Sequence, residues 1–164
     1  MNNHHATRWL DENGEWKDQT SRINSVAGIS STAAQTPRAL GIAYASKLYR
    51  ERTDLKEHAT LFSKGGQEVC YTTIGDASTS EGMYFECINA AGVLQVPIIF
   101  SVWDDGYGIS VPIEFQTTKS SISKALAGFQ RNEDGKGLEI IEVKAWDYPG
   151  LVAAYQRAAE LARK

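Results

Sequence analysis

Asp76 and Asp105 are the residues best able to do chemistry in this chain. Each closes a loop that follows a run of β-branched and aromatic residues: Gly75-Asp76-Ala77-Ser78-Thr79-Ser80 after the first run, Asp104-Asp105-Gly106-Tyr107-Gly108 after the second. Two carboxylates that meet need a counter-charge. A hard divalent cation supplies one, because Mg²⁺ takes oxygen ligands and commonly binds one or two carboxylates together with phosphate oxygens. The first loop also leads into a helical pattern, so the N–H groups of Ala77 and Ser78 favour an anion. A metal-bound diphosphate satisfies both features at once. Taken singly, each motif has a plain structural explanation. Gly-Asp after a strand and Asp-Asp-Gly are ordinary turns, and Ser78, Thr79 and Ser80 can simply cap a helix whose first turn holds Glu81. The chemical case rests on the pair, its spacing and what lies between.

What lies between is a crossover. Glu68 to Ile74 reads as a strand, about Glu81 to Gln95 as a helix, apolar nearly all round like a buried one (Met83, Tyr84, Phe85, Ile88, Ala91, Leu94). Val96 to Trp103 is a continuous apolar run of the kind buried in a parallel sheet. Strand, helix, strand in this order makes a right-handed unit with both strands parallel. Both acidic loops then leave the carboxyl edge of the sheet, where ligands of open α/β sheets bind. Upstream, residues 26–36 (VAGISSTAAQT) are small and polar, suited to close approach, and Pro37 opens a helical pattern through Arg50. Downstream, 116–136 is polar with a weak helix near Ser121 to Ala127. Leu138 to Val143 is expected to be a third strand, and Asp147 and Pro149 open an amphipathic helix to Lys164. Residues 112–136 have little apparent to bury and are expected to be mobile without a ligand. The whole reads as an α/β domain, a mostly parallel sheet with helices on both faces, over 25–164. Residues 1–24 are expected to be an irregular N-terminal segment.

The 164 residues suit one domain with a real core. A net charge of −3 gives no bulk attraction to nucleic acid or an anionic membrane. No apolar run approaches the roughly 20 residues of a membrane span, and Met1 to Leu10 has no signal-peptide core. Cys70 and Cys87 have no partner motif and read as buried thiols of a reducing compartment, so a cytoplasmic protein is expected.

The stretch GDASTSEGMYFECINAAGVLQVPIIFSVWDDGYGIS (75–110) resembles the thiamine-diphosphate motif of 2-oxoacid dehydrogenases: Gly-Asp-Gly, a helix, then a strand ending in Asn-Asn-Gly-Tyr-Ala-Ile-Ser. ISSTAAQTPRALGIAYASKL (29–48) is similar to the loop and helix that precede that motif in the α part of the branched-chain 2-oxoacid and pyruvate dehydrogenases. The run from Leu138 through AWDYPGLVAAYQRAAELARK resembles the strand and helix on the far side of that motif. The resemblance implies the diphosphate-binding half of a thiamine-diphosphate fold. By it, Asp76, the Asp105 side chain and the Tyr107 carbonyl would bind Mg²⁺, and Ala77, Ser78 and Gly108 would line the diphosphate. The backbone at Ser30 and Thr32 would meet the aminopyrimidine ring, and His4 would stand near the substrate. It implies oxidative decarboxylation of a 2-oxoacid with acyl transfer to a lipoyl-bearing acyltransferase. It also implies a β partner supplying the glutamate that activates the cofactor, in a dimer or heterotetramer, with this chain a domain of a longer protein. The sequence departs from the motif at three places. Ala77 replaces a glycine, Asp104 and Asp105 replace paired asparagines, and Trp103 stands where some members place a phosphate-binding arginine. The alternatives are a degenerate site, a transketolase-like or simple thiamine-dependent decarboxylase domain, and a non-catalytic phosphate-binding or dimerisation domain.

Overall fold

The β-branched and aromatic run Cys70–Gly75 forms β1, and Ile98–Trp103 forms β2, in a computed structural model that describes residues 6–28, 30–57 and 59–164. The two strands pair in parallel, Cys70 opposite Ile98 through Gly75 opposite Trp103. Between them runs α2, Gly82–Leu94, closed by Gln95 in the left-handed conformation with its N–H on the Ala91 carbonyl. The predicted crossover is therefore present, and both strands end level with each other.

Alternation along the strands assigns their two faces. Cys70, Thr72, Ile74, Ile98, Phe100 and Val102 share one of them. Against it pack Tyr84, Ile88 and Ala91 of α2, together with Ala39 and Ala43 of α1, Gln35–Glu51. Alanines on α1 allow the two helices to approach closely. On the other face, Tyr71 and Ser101 meet Tyr155 of α4, Tyr148–Ala162. Ser101 Oγ and Tyr155 Oη share a 2.6 Å hydrogen bond, and the Tyr71 and Tyr155 rings meet edge-on at 5.7 Å. Asp147 caps α4 by accepting from the Gly150 N–H, with Pro149 in the first turn.

Four expectations are corrected. Leu138–Val143 is not a strand. It makes a single bridge, Leu138 with Gln130, while Leu138 and Ile140 pack on the core and Ile141 and Val143 face outward. Its β-branched, apolar composition reports burial of one side, not a hydrogen-bonded neighbour. Second, α2 is buried along one stripe only: Tyr84 is 1% exposed but Val93 73%, and Met83 and Phe85 also face outward. Third, Cys87 is buried, whereas Cys70 is only partly so. Fourth, the polar stretch after Gly108 does bury side chains. Ile122 of α3, Ile122–Ala125, and Leu126 join the core with Ile74 and Tyr84.

The N-terminal segment has one bridge, Leu10 with Trp16, across a turn in which Asp11 accepts from the N–H groups of Asn13 and Glu15. Trp16 packs edge-on against Phe62 at 5.3 Å, which ties this segment to the body. Among the described residues no helix is long and apolar enough to cross a membrane.

Candidate functional site

Because Gly75 and Trp103 are register partners, the residues after them leave the sheet side by side. Asp76 N–H donates to the Trp103 carbonyl at 3.2 Å. The chain then turns in a 3₁₀ helix, Ala77–Ser80. Thr79 holds this turn, its Oγ1 donating to the Asp76 carbonyl at 2.6 Å and its N–H to the same oxygen at 3.1 Å. The alternative that Ser78, Thr79 or Ser80 simply caps the helix does not hold. The three serine and threonine residues form their own turn, and α2 starts beyond it with Glu81 as a cap that makes no side-chain bond. The Ser78 N–H has no backbone acceptor among the described residues and remains available to an anion, whereas the Ala77 N–H is engaged by the Asp76 carboxyl.

Asp76 is buried at 3% exposure, while Asp104 and Asp105 are exposed. Burial, and then the charges of Asp104 and Asp105, raise its carboxyl above the ordinary value, opposed by an amide hydrogen bond from Ala77. The three carboxylates are thus close enough to feel one another. No ion pair among the described residues supplies them with a cation. No group of three or more His, Cys, Asp or Glu side chains there forms a complete metal cage. Asp105 Oδ1 accepts from the Tyr107 N–H and Asp104 Oδ1 from the Gly106 N–H, both at 3.0 Å, so each folds its loop by a local turn.

Beyond them a short antiparallel ribbon forms from β3, Tyr107–Gly108, and β4, Val111–Pro112. Ile113 N–H donates to the Gly106 carbonyl at 2.9 Å. Gly106 with Ile113 is thus a hydrogen-bonded pair, and the next pair, Tyr107 with Pro112, is not. The Tyr107 carbonyl is left outside the ladder, free to ligate. Gly108 lies against the first loop, where a Cβ added to it would come within 2.6 Å of the Ala77 Cβ. Absence of that Cβ is what lets the two loops meet.

The structure therefore brings Asp76, Ala77, Ser78, Asp105, Tyr107 and Gly108 to one edge. Ser30 and Thr32 are exposed in the loop before α1; Ala33, in the left-handed region, anchors that loop against Ile74 and Tyr84 at the same end of β1. No hydrogen bond among the described residues ties Ser30 or Thr32 to the acidic loops. His4 lies outside the described residues. Two residues were not foreseen. Thr79 carries a weak signal, a hydroxyl three residues after the key aspartate; Gln116, which lies over Gly108, carries none. The donor set fits a dication with its phosphate group better than a bare anion. Three carboxylates repel an anion, and Trp103, whose indole N–H turns back to Ser101 Oγ, adds no positive charge.

The parallel strand–helix–strand crossover with a buried carboxylate at the carboxyl edge of its strands is that of an α/β domain. The chain belongs to the dehydrogenase E1 component family, whose model matches residues 8–164. It is 28% identical over 151 residues to the 2-oxoisovalerate dehydrogenase subunit alpha of Bacillus subtilis, covering 92% of this chain and 38% of that protein. It is 34% identical over 103 residues to the pyruvate dehydrogenase E1 component subunit alpha of the same organism, covering 62% and 26%. With the corresponding subunit of Porphyra purpurea it shares 30% over 141 residues, covering 86% and 37%. The chain thus spans well under half the length of these relatives.

Proposed function

We propose that this chain is the part of an α-type E1 dehydrogenase that holds Mg²⁺ and the diphosphate of thiamine diphosphate. The observation that carries the reading is the buried Asp76 within electrostatic reach of Asp104 and Asp105 with no cationic partner among the described residues, its neighbour Ala77 lying where only a glycine at 108 leaves room. Asp76, Asp105 and the Tyr107 carbonyl would ligate the dication. The Ser78 N–H would meet a phosphate oxygen, with Ala77 beside it and Gly108 giving room. When bound, thiamine diphosphate supplies the carbanion chemistry that cleaves the carbon–carbon bond of a 2-oxoacid. The chain's own contribution is to bind and orient, with Ser30 and Thr32 toward the ring end of the cofactor.

Oxidative decarboxylation with acyl transfer to a lipoyl carrier then requires a β-type partner to complete the site. The names of the relatives, alpha subunits of 2-oxoisovalerate and pyruvate dehydrogenases, support that class. Calorimetric titration with thiamine diphosphate tests the reading. Binding is expected with Mg²⁺ and lost when EDTA replaces it. Failure to bind in either condition, or equal binding in both, would overturn the assignment.

A further inference from the structure

We infer that Gln116 is a positioning residue that clamps the Tyr107–Val111 ribbon onto the Ala77–Ser80 turn and so sets the crevice between Ala77 and Gly108. Its side-chain Nε2 donates to the Val111 carbonyl at 2.6 Å. Its own carbonyl accepts from Ser80 Oγ at 3.3 Å. Its carboxamide and the Ala77 methyl both close on Gly108, so that a Cβ on Gly108 would strike both. Gln116 itself is held in place by its N–H on the Ile113 carbonyl at 3.0 Å, at the end of the 3₁₀ turn Ile113–Phe115. One residue thus touches both loops and the glycine between them.

The ribbon needs such a clamp. It has two residues per strand, and an isolated two-stranded ribbon is at best marginally stable in water. It also has Ile109, fully exposed, at a φ of 59°, a conformation costly for a β-branched residue. Yet the ribbon carries the Tyr107 carbonyl and Gly108. If it lifts, both move away from Asp76 together. The chemistry of the clamp selects glutamine. The Val111 carbonyl requires a donor, which a glutamate carboxylate cannot supply, and an ionised glutamate would add a fourth negative charge to Asp76, Asp104 and Asp105. A methionine would keep the length without the donor.

The clamp is a property of the ligand-free chain; only its consequence for binding rests on the proposed function. The test uses wild type, Gln116→Met and Gln116→Glu. Amide hydrogen exchange is read at Gly108 and Val111 in the ribbon and at Ile88 and Ala91 in α2 as a control. Gln116→Met is expected to speed exchange in the ribbon about fivefold, the scale of one neutral hydrogen bond, and to leave α2 unchanged. Gln116→Glu is expected to do the same at pH 7. Near pH 3.5, below the ordinary glutamate value of about 4.3, its protonated carboxyl can donate, so its ribbon exchange should return to that of wild type at the same pH. Side-chain loss alone would give no such return. Affinity for thiamine diphosphate with Mg²⁺ should fall about fivefold in Gln116→Met by the same argument. Ribbon exchange in both variants equal to wild type at pH 7 overturns the clamp, whatever the binding result. Accelerated ribbon exchange with no cofactor binding by wild type leaves the clamp standing and overturns the proposed function instead. If Gln116→Met proves misfolded by circular dichroism, the pH comparison within Gln116→Glu decides: an exchange ratio to wild type that does not change with pH overturns the inference.

Discussion

Asp76 carries the balance of the site, and its electrostatics set a sign that can be measured. Its carboxyl is raised by burial and then by Asp104 and Asp105, so the native state keeps this proton to higher pH than the unfolded chain does. The contribution of Asp76 to metal-free stability therefore falls as pH rises from the unfolded value through the raised one, and stays low above it. Asp11, Asp18 and Asp54 act oppositely, since hydrogen bonds hold their carboxyls below the ordinary value. The comparison that isolates Asp76 is wild type against Asp76→Asn. At pH 7 without metal, Asp76→Asn should melt higher than wild type, and the difference should vanish at low pH. With Mg²⁺ and thiamine diphosphate only wild type should gain in melting temperature, and Asp76→Ala should lose that gain as well. Asp105→Asn keeps an oxygen ligand and should keep binding. A wild-type chain that melts above Asp76→Asn at neutral pH without metal would contradict this sign. Cys70 gives a second prediction at this scale: burial pushes its thiol up to about 11. At pH 8 its thiolate fraction is then roughly two-hundredfold below that of a free cysteine near 8.5, and iodoacetamide should label it correspondingly slowly until denaturant is added. Labelling of the folded chain at the rate of a free thiol would refute it. Asp76 and Asp105 were legible because residue type, strand-end position and the crossover rule agreed. Thr79 and Gln116 were not, because what makes them matter is a contact with another part of the chain.

At the scale of elements, the crossover was legible because propensity, burial and connection length all favour it. Leu138–Val143 was misread because its β-branched, apolar composition is that of a strand. Leu138 and Ile140 lie along the core without a ladder. The two-residue strands of the ribbon were likewise invisible, being too short to show a period. Their turn carries a testable strain. Ile109 has a φ of 59° and no contact to compensate for it, being fully exposed. Asparagine tolerates this conformation better, so Ile109→Asn should raise stability by about 1 kcal/mol, on the scale of the left-handed penalty for other residues. The urea midpoint should rise with unchanged slope, and a lower midpoint would mean that Ile109 has a packing role. The segment 112–136 should not open as one piece. Ile122 and Leu126 anchor it in the core, while Asn132 to Lys136 form an exposed turn closed by the Asn132 and Lys136 backbones. Exchange is expected to be slow at the Leu126 and Phe129 amides and fast between 132 and 136 without ligand. Uniform rates across the segment would count against the anchors.

For the molecule as a whole, the apolar surface it leaves uncovered matters as much as its core. Among the described residues the parallel sheet has two strands, and parallel sheets are normally covered on both faces. Here α4 reaches the second face mainly through Tyr155 and buries none of its residues fully. Trp103, Tyr107, Ile109 and Phe115 stand exposed around the acidic edge, and Val93 on the outside of α2. Apolar patches of this kind are uncommon on monomers and mark surfaces that meet another chain. Removing such surface from water yields roughly 25 cal/mol per Å² before the cost of association. A few hundred Å² would then favour weak dimers without specifying the pairing of a full complex. The isolated chain should therefore self-associate at high concentration in light scattering. It should also turn over no 2-oxoacid, because in the proposed function a β-type partner completes the site. Val93→Lys on the outer face of α2, exposed at 73% and near the end of the helix away from Asp76, should reduce association without changing cofactor affinity. A strictly monomeric chain that decarboxylates pyruvate or a branched-chain 2-oxoacid would defeat both the exposed-surface argument and the shared-site argument. A chain that associates but responds equally to Val93→Lys and to a substitution on α4 would assign the contact to no one face, and would remove α2 as its specific seat.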